Sequence, residues 1–140
     1  MTQISDISFG IGIVEGAEES PDAESISGHI LLANQFRITS EGRFVKSQIG
    51  STFGVRFRLA DPESQNFACY RQVVTHPLMT NPQTKSASNG WSEVMIGSNN
   101  DWNFTFYTFE HAWERVTGKW VFEYLTLDDD PLAKISFEVS

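Results

Sequence analysis

Residues 52–60 read TFGVRFRLA. Every second side chain in this stretch is large and apolar, and the side chains between them are small or basic. The two sets are Phe53, Val55, Phe57 and Leu59 on one hand, and Gly54, Arg56 and Arg58 on the other. Because successive side chains of a strand point to opposite faces of a sheet, this spacing predicts a β-strand with one face in a hydrophobic core.

Seven more segments are predicted as strands, several of them from the same alternation and residues 67–76 from their β-branched and aromatic content, with mixed facing. They are ISFGIGIV (7–14), HILLANQFRIT (29–39), FACYRQVVTH (67–76), WSEVMIG (91–97), WNFTFYTF (102–109), KWVFEYLTL (119–127) and LAKISFEV (132–139). Turn-forming residues separate them, and no segment has a sustained helical period. The pattern predicts an all-β fold of about eight strands, arranged as an antiparallel sandwich or barrel.

The connecting segments are predicted from their turn and charge content. Residues 15–28, EGAEESPDAESISG, are acidic and rich in Ser and Gly, which is typical of a solvated loop. Residues 76–90, HPLMTNPQTKSASNG, carry two prolines and are predicted as the longest irregular segment. Residues 109–116, FEHAWERV, have helical spacing, but an isolated helix this short is marginal, so we expect a single turn there.

Three consecutive aspartates, Asp128, Asp129 and Asp130, precede Pro131 between the last two strands. Carboxylates are ligands of hard cations such as calcium. Aspartate is also favoured in turns, where its side chain accepts hydrogen bonds from nearby backbone N–H groups. The alternate spacing and the glycine of a calcium-binding loop are missing, so we expect a hairpin connection and no metal.

The composition limits the class of partner. The chain has 140 residues and a net charge of −8, which fits one domain over residues 1–140 and disfavours nucleic acid and anionic membranes as partners. Cys69 is the only cysteine, and the first residues lack the basic and apolar regions of a signal peptide. From these features we expect a cytoplasmic location.

Groups that could carry catalysis are sparse. His29, His76 and His111 are far apart in sequence and show no zinc-binding spacing. Cys69 and His76 would lie far apart on one strand. Among the carboxylates, Glu110 and Glu114, which lie near Trp113, are the first pair to consider. We therefore predict no catalytic residue and no cofactor.

The aromatic residues offer a different kind of site. Tryptophan and tyrosine can stack on a sugar ring or a peptide, but they also fill cores. Trp120 alternates within a strong strand and is predicted to be buried. We take Trp91, Trp102, Tyr107 and His76 as the candidate ligand or partner surface.

Five segments together carry a family resemblance: FGIGIVEG (9–16), STFGVRF (51–57), VVTHP (73–77), VTGKWVFEY (116–124) and KISFEV (134–139). In this order they resemble the bacterial family catalogued as domain of unknown function 3859, from about Ile7 to Val139. The resemblance implies an immunoglobulin-like β-sandwich. It implies no chemistry and no site residues, because the family has no established activity.

The sequence therefore favours a non-catalytic binding module whose partner is another protein. The alternative is a small hydrolase or carbohydrate-binding domain that combines an aromatic groove with carboxylates. We expect the glycine-bearing face of residues 8–12 to permit close approach of a partner. Self-association as a two-fold dimer is one form that such an approach takes.

Overall fold

The computed structural model describes residues 1–16, 18–21, 29–32 and 35–140, with side chains described for residues 1–16 and 35–140. Nearly all of the regular structure is β. The strands are β1 (Gln3–Glu15), β2 (Glu18–Pro21), β3 (His29–Leu32), β4 (Gln35–Glu41), β5 (Phe44–Val45), β6 (Thr52–Ala60), β7 (Phe67–Thr80), β8 (Ala87–Ser98), β9 (Asp101–Thr108), β10 (Gly118–Leu125) and β11 (Pro131–Val139).

Nine of these strands form two sheets. One sheet has the order β4-β1-β6-β9, and the other has the order β5-β11-β10-β7-β8. The pairs are antiparallel except for the short β5, which runs parallel to β11. The predicted all-β sandwich of about eight strands is therefore confirmed.

The core lies between the inner faces of the two sheets. The four apolar residues of β6 that the alternation predicts to be inside are completely buried. The ring of Phe53 lies between 5.0 and 5.8 Å, centroid to centroid, from four other aromatic rings. These are Phe109, Trp120, Phe122 and Phe137. Aromatic contacts therefore join β6 of the first sheet to β10 and β11 of the second.

The prediction of a single strand over residues 29–39 is wrong. β3 pairs with β2 in a separate two-stranded sheet, whereas β4 pairs with β1. Residues 33 and 34, between β3 and β4, lie outside the described residues. The prediction of a loop over residues 15–28 is also wrong in part, since β1 extends to Glu15 and β2 occupies 18–21. The rest of that prediction, at residues 17 and 22–28, lies outside the described residues.

The predicted irregular segment, residues 76–90, is largely strand. β7 continues to Thr80 and β8 begins at Ala87, so only 81–86 form the connection. The register between the two strands shifts between Thr75 and Met79, which marks a β-bulge. Proline lacks a backbone donor and is tolerated at bulges, so Pro77 sits here without ending the strand.

The glycine face of β1 is covered by residues of the neighbouring strand β4. The prediction that residues 8–12 offer a partner surface is therefore wrong. A side chain at Gly10 would overlap the carbonyl oxygen of Ser40, and one at Gly12 would overlap the ring of Phe36. Register shifts on both sides also change which way β1 faces. Phe9 and Ile11 pack against the core as expected. Ile7 and Ile13 are exposed instead.

Glycine is also required on β6, at a point of close approach to β9. A Cβ atom at Gly54 would lie 2.7 Å from the Cα atom of Phe106 and would overlap the carbonyl oxygen of Thr105. Phe106 in turn stacks on Phe36, with ring centroids 6.0 Å apart. The outer face of this sheet therefore depends on the absence of a side chain at Gly54.

We expect Gly54→Ala to lower the free energy of unfolding by about 2 kcal/mol, because the methyl group forces backbone atoms of β9 to move. Urea unfolding monitored by circular dichroism measures the change. The control is Arg56→Ala, at the next outward position of the same strand, which should cost about 1 kcal/mol or less. A Gly54→Ala protein as stable as the wild type would contradict this account of the packing.

Candidate functional site

Three of the four residues predicted from the sequence as a ligand or partner surface meet at one end of the sandwich. The His76 ring lies 4.6 Å from the Trp120 ring and 6.2 Å from the Trp91 ring, measured between centroids. Tyr107 contacts the same two indoles at 5.0 and 6.0 Å. β7, β8, β9 and β10 therefore each contribute one ring to this cluster, which we call the end cluster.

The fourth predicted residue, Trp102, is not part of the end cluster. It faces outward from β9, where the Arg56 guanidinium lies 3.7 Å from its ring centroid. Asn103 and Thr105 lie on the opposite, inner face, and Thr105 is buried. The structure thus places Trp102 on the outside of the first sheet and the other three residues towards the inside.

His76 is 5% exposed, which corrects its assignment to a surface. Its Nδ1 atom lies 2.7 Å from the carbonyl oxygen of Pro77. Since a carbonyl can only accept, Nδ1 carries the proton and donates it. Burial lowers the pKa of His76, and the hydrogen bond to Pro77 opposes this effect. His76 is therefore a neutral packing residue at physiological pH.

The candidate acid–base carboxylate, Glu114, is occupied by structural hydrogen bonds. One oxygen accepts the backbone N–H groups of Glu110 and His111 at 3.0 and 2.7 Å, and the other accepts the hydroxyl of Tyr107. Burial raises the pKa of Tyr107, and the negative charge of Glu114 raises it further. These bonds fix the short 3₁₀ turn Ala112–Glu114, where a single turn is predicted, against the end cluster.

The remaining candidates for chemistry do not assemble. Cys69 and His76 lie on opposite faces of β7, because they are seven positions apart and successive side chains of a strand alternate between its faces. The aspartates form the predicted connection between β10 and β11, in which Asp129 adopts a left-handed conformation and donates its N–H to the Thr126 carbonyl. Over the described ranges, no three His, Cys, Asp or Glu side chains converge as metal ligands.

A polar chain that crosses the core is not among the sequence predictions. The Thr105 hydroxyl donates to the side-chain carbonyl of Gln72, and the Gln72 amide donates to Glu93, each at 2.7 Å. Burial, the largest effect, raises the pKa of the neighbouring Tyr124 hydroxyl. The signal in the sequence is Gln72 itself, which occupies an inward position of β7 between Tyr70 and Val74.

The fold belongs to the class of immunoglobulin-like β-sandwiches. It is similar to the crystal structure of an immunoglobulin-like protein from Pseudomonas aeruginosa, with a TM-score of 0.71 and 19% sequence identity. The match covers 100% of this chain and 97% of the other. At this identity the likeness concerns the fold alone.

The family model described as domain of unknown function 3859 matches residues 2–139, so the chain belongs to that family. The resemblance read from the sequence is confirmed. No curated protein matches the chain. None of the described residues forms a helix that is long and apolar enough to cross a membrane.

Trp120 is fully buried, as predicted, and its indole N–H donates to the Val116 carbonyl at 3.1 Å. We expect Trp120→Ala to cost about 3–5 kcal/mol of unfolding free energy, since it leaves a large cavity in the core. Chemical denaturation measures the loss. The control is Trp113→Ala, at a half-buried position, which should cost less than half as much. Equal losses in the two variants would contradict the central place of Trp120.

Buried His76 should make stability depend on pH. The unfolded state binds a proton near pH 6.5, whereas the folded state resists protonation because the pKa of His76 is lowered. The stabilisation is therefore complete above about pH 6.5 and is lost as the pH falls. We expect the unfolding free energy to fall between pH 7.5 and 5.5, and His76→Gln to flatten this slope. The control is His111→Gln, and a slope that His111→Gln flattens equally would contradict the assignment.

Proposed function

We propose that the protein is a non-catalytic interaction module that contacts another protein through the outer face of its second sheet. The observation that carries the proposal is an exposed apolar patch near the β8 edge. Ile96, Phe67 and Val94 are 70%, 63% and 52% exposed, respectively. We call these three residues the outer patch. Contiguous exposed apolar surface with a polar rim is typical of protein contact sites.

The strand register brings the outer patch together. Ile96 pairs with Cys69, and Val94 pairs with Arg71, so their side chains share the outer face with Phe67. An ion pair borders the patch, in which the Arg71 Nε atom lies 3.1 Å from a carboxylate oxygen of Asp129. A partner would bury the apolar side chains and leave this charged rim in water.

Packing on the face is favoured over addition of a strand to the β8 edge. Glu93 lies at the centre of β8, on the inward side, and its carboxylate accepts a hydrogen bond from Gln72. An inward-pointing charge on an edge strand opposes further pairing, because a new strand would remove water from the carboxylate. The partner therefore meets the outer surface of β7 and β8.

The enzymatic and carbohydrate-binding alternative needs an accessible carboxylate beside an exposed aromatic ring. Glu114 lies against the end cluster, beside Tyr107, but it is only 4% exposed and accepts three hydrogen bonds. A carboxylate held by these hydrogen bonds stabilises the fold. The proposal of a protein contact at the outer patch therefore has better support than the enzymatic or carbohydrate-binding alternative.

Photo-crosslinking in native cells tests the proposal. Ile96→p-benzoylphenylalanine places the reactive group in the outer patch, and Phe44→p-benzoylphenylalanine places it at an equally open site on β5, where Phe44 is 82% exposed. We expect a discrete protein adduct from position 96 alone. Excess wild-type protein should suppress that adduct, and so should a Phe44→Asp competitor, whereas an Ile96→Asp competitor should not. Equal adducts from positions 96 and 44 would contradict the proposal.

The same experiment identifies self-association. If the partner is a second copy, the adduct has twice the mass of the chain, and light scattering gives the dimer mass for the wild type. In that case Ile96→Asp should restore the monomer mass, because the substitution places a charge in an isologous apolar contact. An adduct of any other discrete mass identifies a different protein as the partner.

A further inference from the structure

A second surface, of different chemistry, lies on the opposite sheet. The outward side chains of β9 are Trp102, Phe104 and Phe106, each half-buried. The Arg56 and Arg58 guanidinium groups lie 3.7 and 5.4 Å from the centroid of the Trp102 ring. Their stacking on Trp102 leaves the donors at the edge of each planar group able to reach outward. We call these five residues the arginine face.

Neither arginine is neutralised within the described part of the chain. The ion pairs there involve the N-terminus, Arg37 and Arg71, and the Arg58 side chain donates only to the Asn100 carbonyl. The residues of β1 paired with the two arginines are serines, and those of β9 are aromatic. Among the described residues, two cations without an acidic partner thus share one face, in a chain whose net charge is −8.

We infer that the arginine face binds an acidic, extended segment of a partner protein. The charge identifies carboxylates as the complementary groups, since a planar guanidinium forms paired hydrogen bonds with a carboxylate. The aromatic residues repeat every second position, which matches the spacing of side chains on one side of an extended peptide. In the described chain β9 pairs only with β6 and ends its sheet, so its other edge can accept a strand.

The two arginines, the row of aromatic side chains and the free edge of β9 together favour one class of anionic ligand. A free phosphate or a sugar acid would use the arginines but would leave both the aromatic row and the strand edge unused. A peptide with alternating glutamate and apolar residues uses all three. It would hydrogen-bond to the β9 backbone, pack its apolar side chains on Phe104 and Phe106, and direct carboxylates to Arg56 and Arg58. Arginine and tryptophan are also the residues that contribute most often to binding at protein interfaces.

Fluorescence anisotropy with labelled model peptides tests the inference. The probe is a ten-residue peptide of alternating glutamate and valine, and the matched peptide has lysine in place of glutamate. We expect the glutamate peptide to bind and to weaken as salt rises, since exposed charge pairs are screened. The lysine peptide should not bind. Glutamate-peptide binding that is absent at millimolar protein, or equal binding of the two peptides, would overturn the inference.

Matched variants locate the binding. Arg56→Gln with Arg58→Gln should weaken the glutamate peptide about fivefold or more, as expected for two surface pairs. Lys119→Gln with Lys134→Gln removes the same charge from the opposite sheet and should change the affinity less than twofold. Should the first pair fail to fold, Arg56→Gln alone serves. Equal weakening by both pairs, or competition by inorganic polyphosphate as strong as by the peptide, would overturn the inference in favour of general anion attraction.

Peptide binding at the arginine face does not depend on the contact proposed for the outer patch. Ile96→Asp lies on the other sheet and should leave peptide binding unchanged. If the arginine variants lose peptide binding but keep the crosslink at position 96, the two surfaces act separately. If the wild type binds no peptide but forms the crosslink, only the outer patch is used, and binding without a crosslink means that only the arginine face is used.

Discussion

The ring of Phe53 contacts four other aromatic rings, and this contact joins the two sheets. It commits one face of β6 to the interior, because a strand alternates strictly between its two faces. Gly54, Arg56 and Arg58 must then point outward. At Gly54 the missing side chain lets β9 approach closely, and the half-buried side chains of the two arginines lie against the Trp102 ring. The packing of the core and the chemistry of the outer face thus have one origin.

The sequence predicted the strands whose inward residues are all apolar, such as β6 and β11. In these strands hydrophobic burial alone determines which side chains face inward, and the alternation of the sequence records it. The prediction was wrong where backbone irregularity or strand pairing, and not burial, determined the bounds of a strand. Pro77 indicated a break, but a bulge accommodates it within β7. The apolar pattern of residues 29–39 predicts one strand, whereas pairing partners divide the segment between two sheets, because alternation carries no information about partners.

The sequence named three residues that meet and a fourth, Trp102, that does not, and it did not predict the geometry in which the three meet. His76, Trp91 and Tyr107 do meet, but they meet around Trp120, where His76 is buried and the Tyr107 hydroxyl is bonded to Glu114. Hydrophobicity would place the large rings of β9 inside. Instead Thr105 faces inward, where its hydroxyl donates a hydrogen bond to Gln72, and the rings of Trp102, Phe104 and Phe106 face outward. A polar pair across the core therefore decides which aromatic residues remain available to a partner, and only the tertiary structure reveals that pair.

The central claim is that the inner aromatic residues hold the sandwich together, while the half-buried outward rings of β9 leave part of their surface open to a partner. Fluorine NMR of protein labelled with 5-fluorotryptophan tests it directly, with each resonance assigned by a tryptophan-to-phenylalanine substitution. The shift of each resonance between light and heavy water reports contact of that ring with solvent. The account predicts no shift for Trp120, which is fully buried, and a clear shift for Trp102, which faces outward from β9. A Trp102 resonance as insensitive to solvent as that of Trp120 would contradict it.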